Sequence, residues 1–279
     1  MEVVNIFKNL EIFKSVYETR NFTTSAQLLF LSQPTISVQI KQLEETLGVM
    51  LFERNGRQQI VPTESGTLLY QQTQQLLDLW QQDLFALKHQ KTDQKIACKI
   101  AASHTTAAYL LPDLLRKNKE SLKRLELEVS VLNSSQIMEQ LKQHKLDFGF
   151  IEKPLTEKNI KRYSLTTDQL VWAGNEDEPW LLREHGSGVY HYSINYLKAN
   201  NLTLEHFMTI KSNSLIIQLL RQGIGQSIVS QTALTDYPEI PVKVLSKQYQ
   251  REFYLVGRSE LPKPIQEFVT CLINESSKA

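Results

Sequence analysis

The chain has 279 residues, of which 41% are hydrophobic and 22% are charged, and its formal net charge is +1. This is enough apolar sequence to fill one large core or two smaller ones, and no stretch approaches the roughly 18 uninterrupted apolar residues of a membrane span. The first residues lack the basic and apolar regions of a signal peptide. The two cysteines, Cys98 and Cys271, lack metal-ligand spacing and cannot build a disulfide framework. The composition therefore predicts a cytoplasmic globular protein with no cofactor and no membrane partner.

Helical spacing dominates the first fifty residues. Apolar residues recur every three or four positions at Leu10, Phe13, Val16 and Tyr17, and again at Ile36, Ile40, Leu43 and Leu47. A break at 20–21, followed by threonine hydroxyls in 22–24, predicts the capped start of a second helix. Ser32 is a predicted N-cap with Pro34 in the first turn of a third helix, and Gly48 is its predicted stop. Two short helices joined by a tight turn are typical of a helix-turn-helix.

A hairpin is predicted directly after the third helix. Residues 49–52 and 60–63 have strand-like composition, and the polar segment between them contains Asn55-Gly56, a strong signal for a hairpin turn. Residues 1–63 are therefore predicted to form a winged helix-turn-helix.

A long amphipathic linker helix is predicted over residues 64–91. Its stripe has heptad-like spacing at Leu69, Thr73, Leu76, Trp80, Asp83 and Leu87, imperfect at Thr73 and Asp83, and is flanked by Leu77 and Leu84. A helix of this length extends roughly 40 Å, too far to pack only on the small N-terminal domain. We therefore expect it to pair with a second copy of the chain, and packing against its own C-terminal domain is the alternative.

From residue 94 onward, strands and helices alternate. Strands are predicted at 95–102, 125–132, 146–151, 169–173, 189–193, 207–210 and 226–230, helices at 105–119, 135–144, 194–200, 213–222 and 262–276, and an extended segment at 242–257. This order predicts parallel sheets with right-handed crossovers. Two subdomains are expected in residues 92–279, the first of 92–165 and 246–279 and the second of 166–245. Ligands of such sheets bind beyond the carboxyl ends of the strands, here between the subdomains.

Several motifs point to one family. They are Leu31-Ser-Gln-Pro-Thr-Ile-Ser37, Gln39-Ile-Lys-Gln-Leu-Glu44, Leu51-Phe52-Glu-Arg54 and Pro62-Thr-Glu-Ser-Gly66, with looser matches at 110–115, 146–150 and 221–225. Together they resemble the LysR-type transcriptional regulators. The resemblance implies an α + α/β fold: an N-terminal winged helix-turn-helix, a long linker helix and a C-terminal two-subdomain α/β domain of the periplasmic-binding-protein type. It implies a regulator that binds double-stranded promoter DNA and a small-molecule effector, as a homodimer or homotetramer, with RNA polymerase as a further partner.

Two departures from the family pattern bear on the cleft. Only six residues separate Gly174 from Leu181, where the family carries a longer loop and a short helix, so the second subdomain is expected to be trimmed. His104 follows Ser103 at a position where relatives more often carry a small or polar residue.

Candidate DNA contacts cluster at the start of the third helix, because the N-terminus of a recognition helix enters the major groove. The predicted base contacts are Gln33, Thr35, Ser37 and Gln39, since glutamine can bridge adenine and the threonine methyl can touch thymine. The predicted phosphate contacts are Thr24, Ser25, Lys41, Arg54, Arg57 and Thr63. Residues 1–90 contain seven Lys/Arg and nine Asp/Glu, a net charge of −2, so binding must rest on a few placed groups. A solvated face of a protein-interaction module is the alternative.

Candidate effector contacts follow the predicted strands of the C-terminal domain. They are Ser103, His104, Thr105, Asn133, Ser134, Arg183 and Ser187. Backbone N–H groups and hydroxyls at helix N-termini favour carboxylate or phosphate groups, and Arg183 is a predicted anion partner. Ordinary helix capping and a solvated turn are the alternatives. The expected effector is a small anionic metabolite; a regulator without a small-molecule effector is the alternative function.

Two rival classes of protein fit less well. An enzyme would use Ser103 beside His104, or His144 and His185, but residues adjacent in a chain rarely share one hydrogen bond, and no nucleophile elbow or metal pair is present. A solute-binding protein would share the cleft but would need an export signal and would not need residues 1–91. We therefore expect no enzymatic activity.

Overall fold

The computed structural model describes residues 3–55, 59–88 and 95–276. The chain divides into two compact units, Met1–Thr92 and Asp93–Ala279. Within the described ranges, no helix is both long enough and apolar enough to cross a membrane.

The first unit is a helix-turn-helix with a two-stranded wing and a long helix. Its elements are α1 (Val3–Thr19), α2 (Phe22–Leu28), α3 (Gln33–Leu47), β1 (Phe52–Asn55), β2 (Gln59–Pro62) and α4 (Glu64–Lys88). β1 pairs antiparallel with β2, from Phe52 opposite Pro62 to Asn55 opposite Gln59. The predicted winged helix-turn-helix is confirmed. The predicted turn residues Gly56 and Arg57, and the last predicted residues of the linker helix, 89–91, lie outside the described ranges.

Helix capping follows the predictions for α3 but not for α2. The Ser32 hydroxyl accepts a hydrogen bond from Thr35 N at 3.2 Å, and Gly48 ends α3 in the left-handed conformation with φ 70°. The predicted threonine cap of α2 is wrong. Asn21 is extended, and its Oδ1 accepts from the backbone N–H groups of Thr23 and Thr24 at 2.8 and 3.1 Å.

Glu44 and Gly66 allow the wing to pack closely against α3 and α4. Glu44 is buried at the end of α3, and its Oε1 accepts from Leu51 N at 2.8 Å and Phe52 N at 3.2 Å. A Cβ at position 66 would overlap the Leu51 carbonyl oxygen, so only glycine lets α4 start this close to the wing. The family-like motif residues Glu44 and Gly66 thus have structural explanations.

Helix α4 packs on α1 through one face and exposes another. Tyr17 stacks on Tyr70 with ring centroids 3.9 Å apart, and Tyr70 donates to Glu18 Oε1 at 2.8 Å. Thr73, where the predicted stripe is imperfect, is buried, and the side chains of Asp83 and Leu87 lie outside the described residues. The pairing of α4 with a second copy stays a prediction. Among the α4 side chains that the structure describes, the exposed large apolar ones are Leu68, Leu76, Leu79 and Trp80. We call Leu68, Leu76 and Leu79 the α4 stripe.

The second unit contains the remaining elements. They are β3 (Ile96–Ala102), α5 (His104–Tyr109), α6 (Leu111–Lys117), α7 (Lys119–Leu122), β4 (Leu125–Val131), α8 (Ser134–Lys142), β5 (Phe148–Ile151), β6 (Ile160–Gly174), β7 (Trp180–Leu182), α9 (Gly188–Ala199), β8 (Phe207–Thr209), α10 (Asn213–Arg221), β9 (Gln226–Ser230), β10 (Val242–Val244), β11 (Gln250–Arg258) and α11 (Lys263–Ser276), with short 3-10 turns at Gln231–Leu234 and Lys247–Tyr249.

The strands form two lobes that share β6. In the first lobe β3 pairs parallel with β4 and β5, and β11 runs antiparallel between β5 and β6. In the second lobe β7 pairs parallel with β8 and β9, while β6 runs antiparallel beside β9 and β10. The sheets are therefore mixed rather than all parallel, because β6 and β11 carry the chain between the lobes. The predicted residue boundaries of the subdomains stay predictions.

Four predicted elements differ from the structure. The predicted strand at 189–193 is wrong and lies inside α9. The predicted helix at 105–119 is broken near Leu110, because Pro112 lacks an N–H and cannot continue α5. The extended segment at 242–257 is divided by a 3-10 turn. The strand predicted at 169–173 begins earlier, at Ile160, and the three-residue β7 was not predicted.

Candidate functional site

The start of α3 presents a mixed polar and apolar surface. Gln33 is exposed in the first turn, and Lys41 is exposed two turns later, where it pairs with Glu45 at 3.6 Å. Ser37 and Thr35 are half-buried, and the hydroxyl oxygens of Thr35 and Ser32 lie 2.7 Å apart. Thr24 on α2 is exposed as well.

Two of the predicted DNA contacts have other roles in the structure, and a third has a buried side-chain oxygen. Ser25 is fully buried, with its hydroxyl oxygen 2.7 Å from that of Thr19, so its side chain joins α2 to α1. The Thr63 hydroxyl donates to Met50 O at 2.7 Å and accepts from Gly66 N at 3.0 Å, so it caps α4. Gln39 Oε1 is buried without a hydrogen-bond partner among the described residues, whereas reading adenine needs both the oxygen and the nitrogen free.

Sequence reasoning missed Val38. This side chain is 51% exposed and lies on the open face of α3, between Pro34 and Lys41. An apolar side chain there can contact a thymine methyl. The prediction considered mainly hydrogen-bonding residues, but helical spacing alone places 34, 38 and 41 on one face. Arg57 lies outside the described residues, and the described structure does not extend to the side chain of Arg54.

In the second unit, polar residues follow the carboxyl ends of parallel strands from both lobes. Ser103 follows β3, Asn133 follows β4 and Glu152 follows β5 in the first lobe. Arg183 follows β7 and Asn213 follows β8 in the second lobe. Because these strand ends meet between the lobes, their side chains lie together at the boundary between the lobes, which we call the cleft.

Arg183 is a buried cation of the cleft, so the alternative, a solvated turn, is wrong for its side chain. Its side chain is 1% exposed. Nε and Nη2 donate to Glu184 Oε2 and Oε1 at 3.0 and 3.1 Å, and Nη1 donates to Asn213 Oδ1. Asn213 Nδ2 in turn donates to the Thr105 hydroxyl of the first lobe at 2.9 Å.

A second set of contacts joins the lobes beside Arg183. Asn133 Nδ2 in the first lobe donates to Glu184 Oε1 at 3.1 Å. Ser135 N donates to the Gly186 carbonyl at 3.2 Å. A Cβ at Gly188 would overlap Glu152, lying 2.8 Å from its Cδ. The two lobes are therefore in direct contact along this side of the cleft.

A buried ion pair joins the two strands that cross between the lobes. Arg251 lies opposite Asp168 in the β11–β6 register, and both are buried. Arg251 Nε donates to Asp168 Oδ2 at 2.8 Å, and Asp168 Oδ1 accepts from the Ser230 hydroxyl at 2.6 Å. Arg251 Nη1 lies 3.7 Å from Glu152 Oε1. Since a buried charge is stable only when paired, this network fixes the strand crossing.

Two groups of the cleft have shifted pKa values. Burial, and then the charge of Arg183, lower the pKa of His104 below its ordinary value. Burial alone would raise the pKa of Glu184, but the hydrogen bonds and charge of Arg183, together with the Asn133 bond, bring it below its ordinary value. The cleft thus holds a neutral imidazole beside an ionised carboxylate at neutral pH.

This network contains four of the predicted effector contacts: Thr105, Asn133, Ser134 and Arg183. Thr105 bonds to Asn213, Ser134 bonds to Glu152, and Asn133 and Arg183 both bond to Glu184. Ser103 and Asn133 also cap their own helices, accepting from Thr106 N at 3.3 Å and Gln136 N at 3.0 Å. Ser187 is buried at the N-cap of α9. Helix capping, the alternative role for these residues, therefore accounts for some of their hydrogen bonds.

Five residues of the cleft were not predicted: Glu152, Asp168, Glu184, Asn213 and Arg251. Glu152 directly follows a strand and could have been found by the same rule as Ser103. Asp168 and Arg251 could not, because their pairing depends on the register of two strands far apart in sequence.

The fold and the two sites together define a DNA-binding regulator with a ligand-binding domain. Residues 7–67 match the family model described as bacterial regulatory helix-turn-helix protein, lysR family, and residues 96–277 match the LysR substrate binding domain. The chain belongs to the LysR family and is a LysR-type transcriptional regulator, with a helix-turn-helix for DNA and a substrate-binding domain.

Known relatives agree with this assignment. The HTH-type transcriptional regulator CysL of Bacillus subtilis (strain 168) is 30% identical over 244 residues, covering 81% of this chain and 80% of CysL. A full-length OxyR variant from Pseudomonas aeruginosa has a TM-score of 0.67 at 20% identity, over 97% and 94% of the two chains. Full-length CbnR in complex with its target DNA has a TM-score of 0.54 at 21% identity, over 97% and 99%. The two structural likenesses show the fold.

Proposed function

We propose that this regulator reads promoter DNA with Gln33, Val38 and Lys41 and senses a small anionic metabolite at Arg183. The DNA half rests on one observation: these three side chains are exposed on α3, the helix that follows the turn. In such folds that helix lies in the major groove, and CbnR was crystallised with its target DNA.

The effector half of the proposal rests on Arg183. A buried guanidinium with a bidentate carboxylate partner is the geometry by which proteins recognise carboxylates and phosphates. It lies where strand ends of both lobes meet, so a ligand there contacts both lobes. Such a ligand shifts the protein between conformations only by binding them unequally, with a coupling of about 1–3 kcal/mol typical of allosteric proteins.

We further propose that the regulator works as a homodimer or homotetramer in the cytoplasm and acts on RNA polymerase. The apolar residues exposed on α4 support a helix-to-helix contact between two copies. Two copies would place two α3 helices in successive major grooves, roughly 34 Å apart.

Binding to DNA from upstream of the protein's own gene tests the DNA half. Gln33→Ala should weaken binding to this fragment about 5- to 150-fold, corresponding to about 1–3 kcal/mol, and leave binding to unrelated DNA almost unchanged. Lys41→Ala should weaken both alike and reduce the salt dependence by about one counterion. Gln72→Ala, exposed on α4, is the control. Equal losses of specific and unrelated DNA binding for Gln33→Ala, or a loss confined to the specific fragment for Lys41→Ala, would contradict the assigned roles.

A further inference from the structure

The anion-binding face of Arg183 is already occupied by a carboxylate of the same chain. Glu184 accepts two hydrogen bonds from Nε and Nη2, which form one side of the planar guanidinium, and a third from Asn133 of the opposite lobe. These are the donors that an external carboxylate or phosphate at this site would use. The hydrogen-bonding capacity of this face is therefore satisfied from within the chain.

We propose that Glu184 is an internal competitor of the effector: its carboxylate holds the position that the ligand's anionic group takes, and binding displaces it. This inference rests on the proposed anion site at Arg183 and adds a regulatory residue to it. The effector must then carry a carboxylate, phosphate or similar oxyanion, because a neutral molecule cannot take over the hydrogen bonds and charge of Arg183.

The position of Glu184 in the chain allows the displacement. Glu184 lies in the short turn between β7 and α9, where Ser187 N donates to its carbonyl at 3.2 Å. Its side chain is 16% exposed, whereas that of Arg183 is 1% exposed. A change in side-chain rotamer therefore moves the carboxylate toward solvent without disrupting a strand or a helix.

Arg183 keeps its position when Glu184 leaves. Its Nη1 donates to Asn213, which is fixed by the Thr105 hydroxyl of the opposite lobe. The other buried cation, Arg251, is paired with Asp168 and lies next to Glu152. Of these two arginines, Arg183 is thus the one whose carboxylate partner is partly exposed, at 16% for Glu184 against 1% for Asp168, and its guanidinium stays oriented for an incoming anion.

Competition lowers the apparent affinity for the effector. The observed dissociation constant equals the intrinsic one divided by the fraction of molecules in which Glu184 has left. A carboxylate that occupies the site about nine-tenths of the time weakens binding about tenfold. Glu184 therefore sets the metabolite concentration at which the regulator responds.

Anion titration of the full-length protein tests whether Glu184 competes with the bound anion. Wild type, Glu184→Gln and Glu205→Gln are titrated with sodium sulfate, phosphate and acetate by isothermal titration calorimetry, with chloride holding ionic strength constant. Glutamine keeps the size of Glu184 but removes its charge, so Glu184→Gln should bind at least one anion about tenfold more tightly than wild type. Glu205, which is exposed outside the cleft, is the matched control and should leave binding unchanged.

A second variant distinguishes the effect of the Glu184 charge on affinity from an effect of the substitution on folding. Glu184→Asp retains the charge on a shorter side chain and should fall between wild type and Glu184→Gln, and thermal unfolding checks that all variants fold. Equal affinities for wild type and Glu184→Gln would overturn the competitor role and leave the anion site at Arg183 standing. Absence of binding to every protein would overturn both, while the DNA half of the proposed function, measured separately on promoter DNA, would be unaffected.

Discussion

His104 connects the chemistry of the cleft to pH. It is half-buried at the start of α5, and its pKa is lowered by burial first and by Arg183 second, against the opposing charges of Glu184 and Glu152. The unfolded chain therefore binds a proton at His104 more readily than the folded chain does. Stability rises with pH wherever the unfolded state binds more protons. The folded protein should lose stability as pH falls through about 6.5, the ordinary pKa of histidine, and this contribution should be constant above it.

Urea unfolding between about pH 5 and 8 measures this effect. The free energy of unfolding of wild type should fall more steeply below about pH 6.5 than that of His104→Gln, which lacks the titrating group. His206→Gln, at an exposed position, serves as the control and should follow wild type. Parallel curves for wild type and His104→Gln would mean that the imidazole titrates alike in the folded and unfolded states.

The structural role of a single residue could be predicted from the sequence where it depends only on residues nearby in the chain. Ser32 and Gly48 were assigned correctly because capping depends on the nearest few backbone groups. Arg183 was found because it lies next to a predicted turn. Its pairing with Glu184 was not predicted, because the sequence alone does not show whether a polar turn is buried between two lobes.

At the scale of elements, α9 shows why local strand preference can mislead. Residues 189–193, Val-Tyr-His-Tyr-Ser, are rich in residue types that favour strands, but the segment forms the first half of a helix. Tyr190, Tyr192 and Tyr196 pack with Trp172 and Trp180 in one apolar cluster of the second lobe. Tertiary packing of large aromatic side chains outweighs the weak local preference for a strand.

The N-terminus of α9 also controls how closely the lobes approach. A Cβ at Gly188 would collide with the buried side chain of Glu152, so Gly188→Ala forces either Glu152 or the lobes to move. Overpacking of this kind typically lowers the free energy of unfolding by about 1–3 kcal/mol. Denaturant unfolding of full-length Gly188→Ala measures that loss.

A double-mutant cycle with Glu152→Ala identifies the cause. Removing the Glu152 side chain removes the collision, so Gly188→Ala should cost less in that background, with a coupling of about 0.5–3 kcal/mol. Additive losses would instead assign the effect of Gly188→Ala to the backbone of α9.

At the scale of the whole molecule, the candidate DNA contacts lie in the first unit and the candidate effector contacts in the second. The first carries the exposed face of α3, and its net negative charge gives it little attraction for bulk DNA. We therefore expect specific binding by this domain to depend on base contacts more than on attraction to the phosphate backbone. Fold class and family were both predictable from sequence, because the motifs of residues 26–66 encode caps, turns and buried contacts. The contact between copies stays a prediction, and Thr73 of the predicted stripe is buried rather than exposed.

The α4 stripe gives the assembly a specific test. Leu76 and Leu79 are exposed on α4, and burying them between two copies would remove apolar surface from water. Replacing both by glutamate should weaken dimerisation by at least about 2 kcal/mol, roughly 30-fold, as losses at central interface residues do. Light scattering at micromolar concentration should then show a smaller mass than for wild type, and binding to a two-site promoter fragment should weaken accordingly. Leu202→Glu, at an exposed leucine of the second unit, should change neither property. Two carboxylates per helix cannot be buried against those of a second copy without a large loss of affinity. An unchanged mass for Leu76→Glu/Leu79→Glu would therefore show that the copies associate through another surface.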